Sequence, residues 1–215
     1  MRRPLRLPYA PIRAEHAVDL GILAIGLVLG AAGAVALFAA ALAVVDTGRV
    51  VAAVGIYALA LPSVFFCALL YTAAFGSPRR ALFRRIDHAA IFAMIAGTAT
   101  PFALDSPAGS WGYVLGTALW AAAGIGVFVK LRFPIGPVYR SAAAYVVLGW
   151  MAMIAIGPAI ASRRVLMLIV LGGIFYTIGV VFFLWRRLPF HRAIWHGFVV
   201  AGAAAHYLAV AALVL

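Results

Sequence analysis

The chain has 215 residues, of which 67% are hydrophobic and 10% are charged, and its mean hydropathy is +1.13. Several apolar runs exceed the roughly 20 residues that a helix needs to cross a bilayer, which excludes a soluble globular domain. The net charge of +12 would suit a nucleic-acid-binding protein, but the arginines fall between the apolar runs, so nucleic acid is not an expected partner. The runs lack the alternation of barrel strands, and we therefore predict an all-α polytopic membrane protein.

The chain opens with a basic, proline-containing segment, and we interpret 1–16 as a cytoplasmic lead-in to one domain over 17–215. The apolar run that begins near Leu20 is too long for the ~7 to 15 residue core of a signal peptide, so it is interpreted as a retained helix. The seven predicted spans cover about 20–45, 50–74, 87–104, 111–130, 141–160, 165–184 and 193–215. A basic loop is predicted over 77–85. Cys67 is the only cysteine, which excludes an intramolecular disulfide and a cysteine-based zinc site.

The distribution of basic residues predicts the orientation of these spans. With seven spans, 14 of the 17 lysines and arginines fall on one side of the membrane and 3 on the other. Because basic loops stay in the cytoplasm, we expect a cytoplasmic N-terminus and an external C-terminus in the inner membrane of a bacterium. Membrane lipids are the expected partners, and the sequence does not indicate an oligomeric state.

Polar residues within the spans are few, and two of them, Asp87 and His88, open the third span. Such groups are costly in hydrocarbon, so they are usually paired, hydrated or functional, and Asp87 is a candidate catalytic residue. A structural alternative stays open. Asp87 can complement the positive end of the helix dipole, while His88 lies in the headgroup layer.

The seventh span holds the other candidates. Arg192 and His196 are four residues apart and share a helix face, whereas His191 is turned aside. His206 lies about 15 Å further along the axis, too deep to share one small site with Arg192. A histidine alone in a membrane helix is more often a hydrogen-bonded structural group than a ligand.

Several segments together resemble the hemolysin III family, the bacterial branch of the progestin and adipoQ receptor superfamily. They are DHAAI at 87–91, IAGTATPF at 95–102, GGIFYTIG at 172–179 and HRAIWHGFVV at 191–200, followed by His206. The resemblance extends from about Glu15 to the end of the chain. It implies a seven-helix bundle with a zinc ion near the cytoplasmic ends of the second, third and seventh spans. Three histidines would hold the metal and an aspartate its water, which could cleave an amide or ester bond as in a ceramidase.

The sequence departs from that pattern where the metal ligands are expected. Gly76 is assigned to the histidine that ends the second span, Arg192 to the first histidine of the seventh, and Leu23 to a histidine of the first. Asp87 and His196 are the remnants of the metal set, and two ligands do not make a zinc site. His88 or His191 would substitute only after a shift of register.

The arginine suggests an alternative to the metal, in which its guanidinium pairs with Asp87 across the bundle. Three functions follow. The favoured one is binding of a lipid or small ligand in the bundle cavity, with a degenerate zinc site. The alternatives are a zinc-dependent lipid amidase and a pore-forming or hemolytic protein, the latter implied only by the family's name.

Overall fold

The computed structural model describes residues 13–105, 110–133, 136–160 and 162–215, so most of the predicted lead-in lies outside the described residues. Within those ranges the chain forms α-helices and no β-strand. The helices are α1 Arg13–Val44, α2 Gly48–Ala73, α3 Arg80–Leu104, α4 Ser110–Arg132, α5 Val138–Ile156, α6 Arg163–Leu184 and α7 His191–Val214. All seven are long and apolar enough to cross a bilayer, which confirms the predicted all-α, seven-span fold.

Two helices extend further than the apolar runs predict. α1 begins at Arg13 rather than near Leu20, and α3 begins at Arg80 rather than at Asp87. The basic loop predicted over 77–85 therefore contributes the first turns of α3. Charged side chains mark where an apolar run ends, but the backbone hydrogen bonds of a helix continue past that point when the side chains reach partners or water.

Helix α3 lies in the interior of the bundle, where it packs against α2, α4, α5 and α7. α1 packs against α2 and α7, and α6 packs mainly against α7. Of the membrane-spanning window of α3, 67% is buried, compared with 6% for α4. The approach of α3 to α2 is close at Gly97, where an added Cβ would lie 2.8 Å from the Cβ of Ala60. The polar residues of α3 therefore face protein rather than lipid.

The helices run alternately in opposite directions, so one end of the bundle collects the starts of α1, α3, α5 and α7. We call it the basic end. The end of α4 lies there too, since Arg85 Nη1 donates to the carbonyl oxygen of Leu131 at 3.1 Å and Lys130 Nζ donates to Ser141 Oγ at 2.5 Å. The end of α2 lies there as well, because Thr72 contacts Arg192 of α7. Its cytoplasmic location stays a prediction from the distribution of basic residues.

Candidate functional site

The start of α7 is held against the first turns of α1. Phe190, immediately before α7, has a φ of 59°, and its backbone N–H donates to Glu15 Oε1 at 3.1 Å. Glu15 is buried although it is a carboxylate. Because residues four apart share a helix face, this contact also turns Asp19 toward α7.

Four side chains from three helices form a polar group that we call the Asp19 cluster, made of Asp19, Thr72, Arg192 and His196. Arg192 Nη2 lies 3.6 Å from Asp19 Oδ2 and donates to Thr72 Oγ1 at 3.1 Å. His196 Nδ1 lies 2.5 Å from Asp19 Oδ1. The Asp19 side chain is only 4% exposed, so its charge is compensated by protein groups rather than by water. The cluster links α1, α2 and α7.

The predicted ion pair between Arg192 and Asp87 is wrong, because the carboxylate that faces Arg192 is that of Asp19. Asp19 forms the ion pair with Arg192 and also contacts His196, whereas Arg192 and Asp87 form no ion pair. Asp87 instead lines the cavity described below. An arginine does form a buried ion pair at the start of α7, as the sequence suggested, but its carboxylate comes from α1.

The residue of α2 that reaches this cluster is Thr72, and not Gly76. Gly76 lies beyond the end of α2, with a φ of 81° and no atom within 4 Å of where its Cβ would be. A histidine there would adopt a left-handed backbone conformation that costs a non-glycine residue about 1–3 kcal/mol. Thr72 is 1% exposed and touches Arg192 directly. The second-span position that faces the site is therefore Thr72.

The contact with Asp19 determines the hydrogen-bonding state of His196. When the imidazole is neutral, Nδ1–H donates to the carboxylate and Nε2 carries the lone pair. A carboxylate that orients a histidine in this way is common behind metal ligands. Here the same carboxylate also faces a guanidinium, so Asp19 serves at once as an orienting group and as a counter-ion.

A cavity of about 620 Å³ runs from the basic end into the bundle. All six residues singled out by the sequence line it, namely Asp87, His88, His191, Arg192, His196 and His206. The rest of its wall is mostly apolar, with residues such as Ile95, Phe102 and Val199. Residues that the sequence placed too far apart for one small site thus share one elongated chamber, at different depths.

His88 lies near the mouth of this cavity, whereas His191 lines both the cavity and a small pocket that it shares with Asp19 and Arg192. The His88 ring packs edge-on against Tyr145 with centroids 6.3 Å apart, and the Tyr145 hydroxyl donates to the His88 carbonyl oxygen at 3.1 Å. His88 Nδ1 is buried without a hydrogen-bond partner. His191 is buried as the first residue of α7.

His206 lies deep in the cavity and is held by its own contacts. Its Nε2 donates to the carbonyl oxygen of Ile169 at 3.1 Å, and its ring packs against Tyr176 with centroids 5.5 Å apart. A Cβ added to Gly172 would overlap the imidazole, so glycine makes room for the ring. This agrees with the structural alternative for a histidine alone in a span.

The donor set does not fit the zinc ion that the resemblance implies. No group of three or more His, Cys, Asp or Glu side chains suitable for a metal occurs in the part of the chain that the structure describes. His196 has Asp19 beside it, but the third neighbour is the permanently charged Arg192. A guanidinium repels a metal cation and offers no lone pair. We therefore derive no step through zinc.

The sequence model of the family described as Haemolysin-III related matches residues 22–207. The chain belongs to this family. The chain is 42% identical over 127 residues to the Hemolysin-3 homolog of Bacillus subtilis (strain 168), covering 58% of the chain and 60% of that relative. It is 39% identical over 136 residues to Hemolysin-3 of Bacillus cereus, covering 62% of each. The alignments thus span about three-fifths of each relative. With seven spanning helices and bacterial relatives, the haemolysin-III protein is an integral bacterial membrane protein.

Sequence reasoning missed Asp19 and Thr72 as site residues. It also missed Tyr71, whose ring centre lies 5.3 Å from the guanidinium carbon of Arg192. One signal was available, since Glu15 and Asp19 are four apart and immediately precede an apolar run, which places two carboxylates on one face of a helix that continues into the membrane. Thr72 and Tyr71 carry no comparable signal. Their importance depends on what faces them across the bundle.

Proposed function

We propose that this haemolysin-III protein binds a lipid or lipid-like amphiphile in the bundle cavity without the zinc chemistry of its family. The observation that carries the proposal is the chamber of about 620 Å³, which is charged at the basic end and mostly apolar beyond it. This volume lies within the roughly 300–1,000 Å³ of small-molecule sites, and the arrangement of its wall matches a polar head and a hydrocarbon tail.

The Asp19 cluster supports binding over catalysis. Arg192 pairs with Asp19 and donates to the Thr72 hydroxyl, and His196 is the one histidine of the set implied by the resemblance that contacts them. These contacts join three helices around the mouth of the chamber. The helix positions at which the family resemblance implies a metal ion therefore carry contacts that hold the wall of the proposed binding site.

The experiment is native mass spectrometry of the purified protein, with the mass of any retained amphiphile as the readout. Gly149 lines the cavity and has no atom within 4 Å of where its Cβ would be, so Gly149→Phe places a ring in the chamber. Gly124 of α4 is exposed and equally free of neighbours, so Gly124→Phe is the matched control.

We expect the wild type and Gly124→Phe to retain an amphiphile and Gly149→Phe to lose most of it. Size-exclusion profiles and thermal unfolding of the three proteins establish that each is folded. Equal retention in all three would place the bound molecule outside the cavity. Complete absence of retained amphiphile from the wild type would contradict the proposal directly.

A further inference from the structure

The arginines at the basic end differ in their surroundings. Four of them line the cavity, namely Arg80, Arg84, Arg186 and Arg192, whereas Arg79, Arg85 and Arg187 are not among its described lining residues. Control of membrane orientation accounts for arginines in loops generally. It does not account for guanidinium groups placed on the inner wall of a chamber.

The guanidinium of Arg80 has an N–H group without a hydrogen-bond acceptor. Its guanidinium carbon lies 4.5 Å from the centre of the Phe75 ring and 5.4 Å from that of Tyr71, which fixes the group against two aromatic side chains. Its Nε is buried without a hydrogen-bond partner. Arg192 approaches the same Tyr71 ring at 5.3 Å. Two cations held at one ring, with an unused buried donor, form an environment that favours an anion.

The charges of the wall are unbalanced. Asp87 is the one carboxylate among the described lining residues, against four arginines. Arg192 is compensated by Asp19, which leaves an excess of positive charge at Arg80, Arg84 and Arg186. A head with a single negative charge and two oxygens leaves several guanidinium donors unused. A phosphate monoester carries up to two charges and three terminal oxygens, and arginine forks match its geometry.

Building on the proposed function, we propose that the ligand head is a phosphate monoester, bound by Arg80, Arg84 and Arg186 at the cavity mouth, with its hydrocarbon chain in the apolar part. The lipid's own phosphate, and not free phosphate, is the group bound, because the chamber continues past the arginines into an apolar region.

Three probes with one chain and different heads test the proposal: dodecyl phosphate, dodecanoate and dodecanol, with inorganic phosphate as the fourth. Trp150 and Trp195 line the cavity, so binding can be followed by tryptophan fluorescence of the full chain in a neutral detergent. We expect dodecyl phosphate to bind at least about tenfold more tightly than dodecanol, because hydrogen bonds to a charged group contribute more than those to a neutral one. Dodecanoate is expected between them, and inorganic phosphate weakest.

Two neighbouring arginines provide a matched pair of variants. Arg186 and Arg187 are both exposed in the turn before α7, and the first alone lines the cavity. Because neither is packed, Arg186→Gln and Arg187→Gln should both fold. We expect Arg186→Gln to weaken the binding of dodecyl phosphate about threefold, because an exposed charge pair contributes little. Arg187→Gln should leave the binding unchanged. Arg80→Gln should weaken the binding of dodecyl phosphate about tenfold.

The possible failures are distinguishable. If dodecanol or dodecanoate binds as tightly as dodecyl phosphate, the phosphate head is overturned while amphiphile binding stands. If the two neighbouring variants behave alike, the phosphate does not lie at the cavity mouth. If inorganic phosphate binds as tightly as the dodecyl ester, the lipid is overturned as the ligand. If no probe binds, the proposed function itself fails.

Discussion

Asp19 and Asp87 are both carboxylates near the start of a membrane-spanning helix at the same end of the bundle, yet their surroundings differ. Asp19 is 3% exposed and faces both Arg192 and His196. Asp87 makes no ion pair with a described residue and borders the cavity. One charge closes a contact between helices, and the other is left facing a chamber. The comparison shows that an acidic residue inside a span can stabilise helix packing or can face a cavity, according to the side chains that the neighbouring helices bring to it.

The largest expected effect comes from converting the Asp19 cluster back into a metal site. Thr72 and Arg192 touch each other, and Arg192 shares a helix face with His196, so Thr72→His with Arg192→His would place three imidazoles together. We expect elemental mass spectrometry to find close to one zinc per chain in this double variant and far less in the wild type.

Arg192→His alone is the control. It places only two histidines at the site, the new one and His196, and should bind little zinc. A double variant with no more zinc than the wild type would contradict the assigned geometry. Near-stoichiometric zinc in the wild type that disappears in His196→Ala would restore the hydrolase hypothesis.

A smaller but still large effect is expected on stability. Asp19→Ala leaves Arg192 buried without its carboxylate, which typically costs about 3–5 kcal/mol of unfolding free energy. Unfolding in mixed detergent measures the loss, with Asp46→Ala, at an exposed carboxylate in the turn after α1, as the control. Asp19→Ala with Arg192→Met should recover part of the loss because no unpaired charge remains. A stability equal to that of the control would show that the ion pair contributes nothing.

The smallest expected effect on stability is that of Asp87→Asn. Since Asp87 has no ion pair to lose, its replacement should change the unfolding free energy by about 1 kcal/mol or less. The same unfolding assay measures it. A loss as large as that of Asp19→Ala would mean that Asp87 is the partner of Arg192, as the sequence suggested.

Much of the fold could be predicted because the bilayer restricts the choices. Apolar runs of sufficient length must be helices, and seven such runs were visible. The helix starts were misplaced at α1 and α3 because Asp19, Arg80 and Arg84 end the apolar pattern without ending the helix. Asp19 continues in the helix since Arg192 and His196 compensate it, and these partners lie on another helix.

The candidate site could be predicted in part. The sequence predicted an ion pair for Arg192, and the six polar residues that it singled out all line one cavity. It could not choose between two carboxylates as the partner of Arg192, because helical periodicity defines neighbours within a helix and not between helices. It assigned Gly76 where Thr72 faces the site, because the position at which α2 ends depends on the turn that follows.

By itself, the sequence determined that this is a seven-helix membrane protein of the haemolysin-III family, since span length and internal hydrogen bonding leave few alternatives in lipid. Only the tertiary structure decided that Asp19 and His196, 177 residues apart, are in hydrogen-bonding contact and that Asp19 pairs with Arg192. The physical reason is that a buried charge is stabilised by whichever partner the packing of helices brings within a few ångströms, and that distance is not encoded in the spacing along the chain.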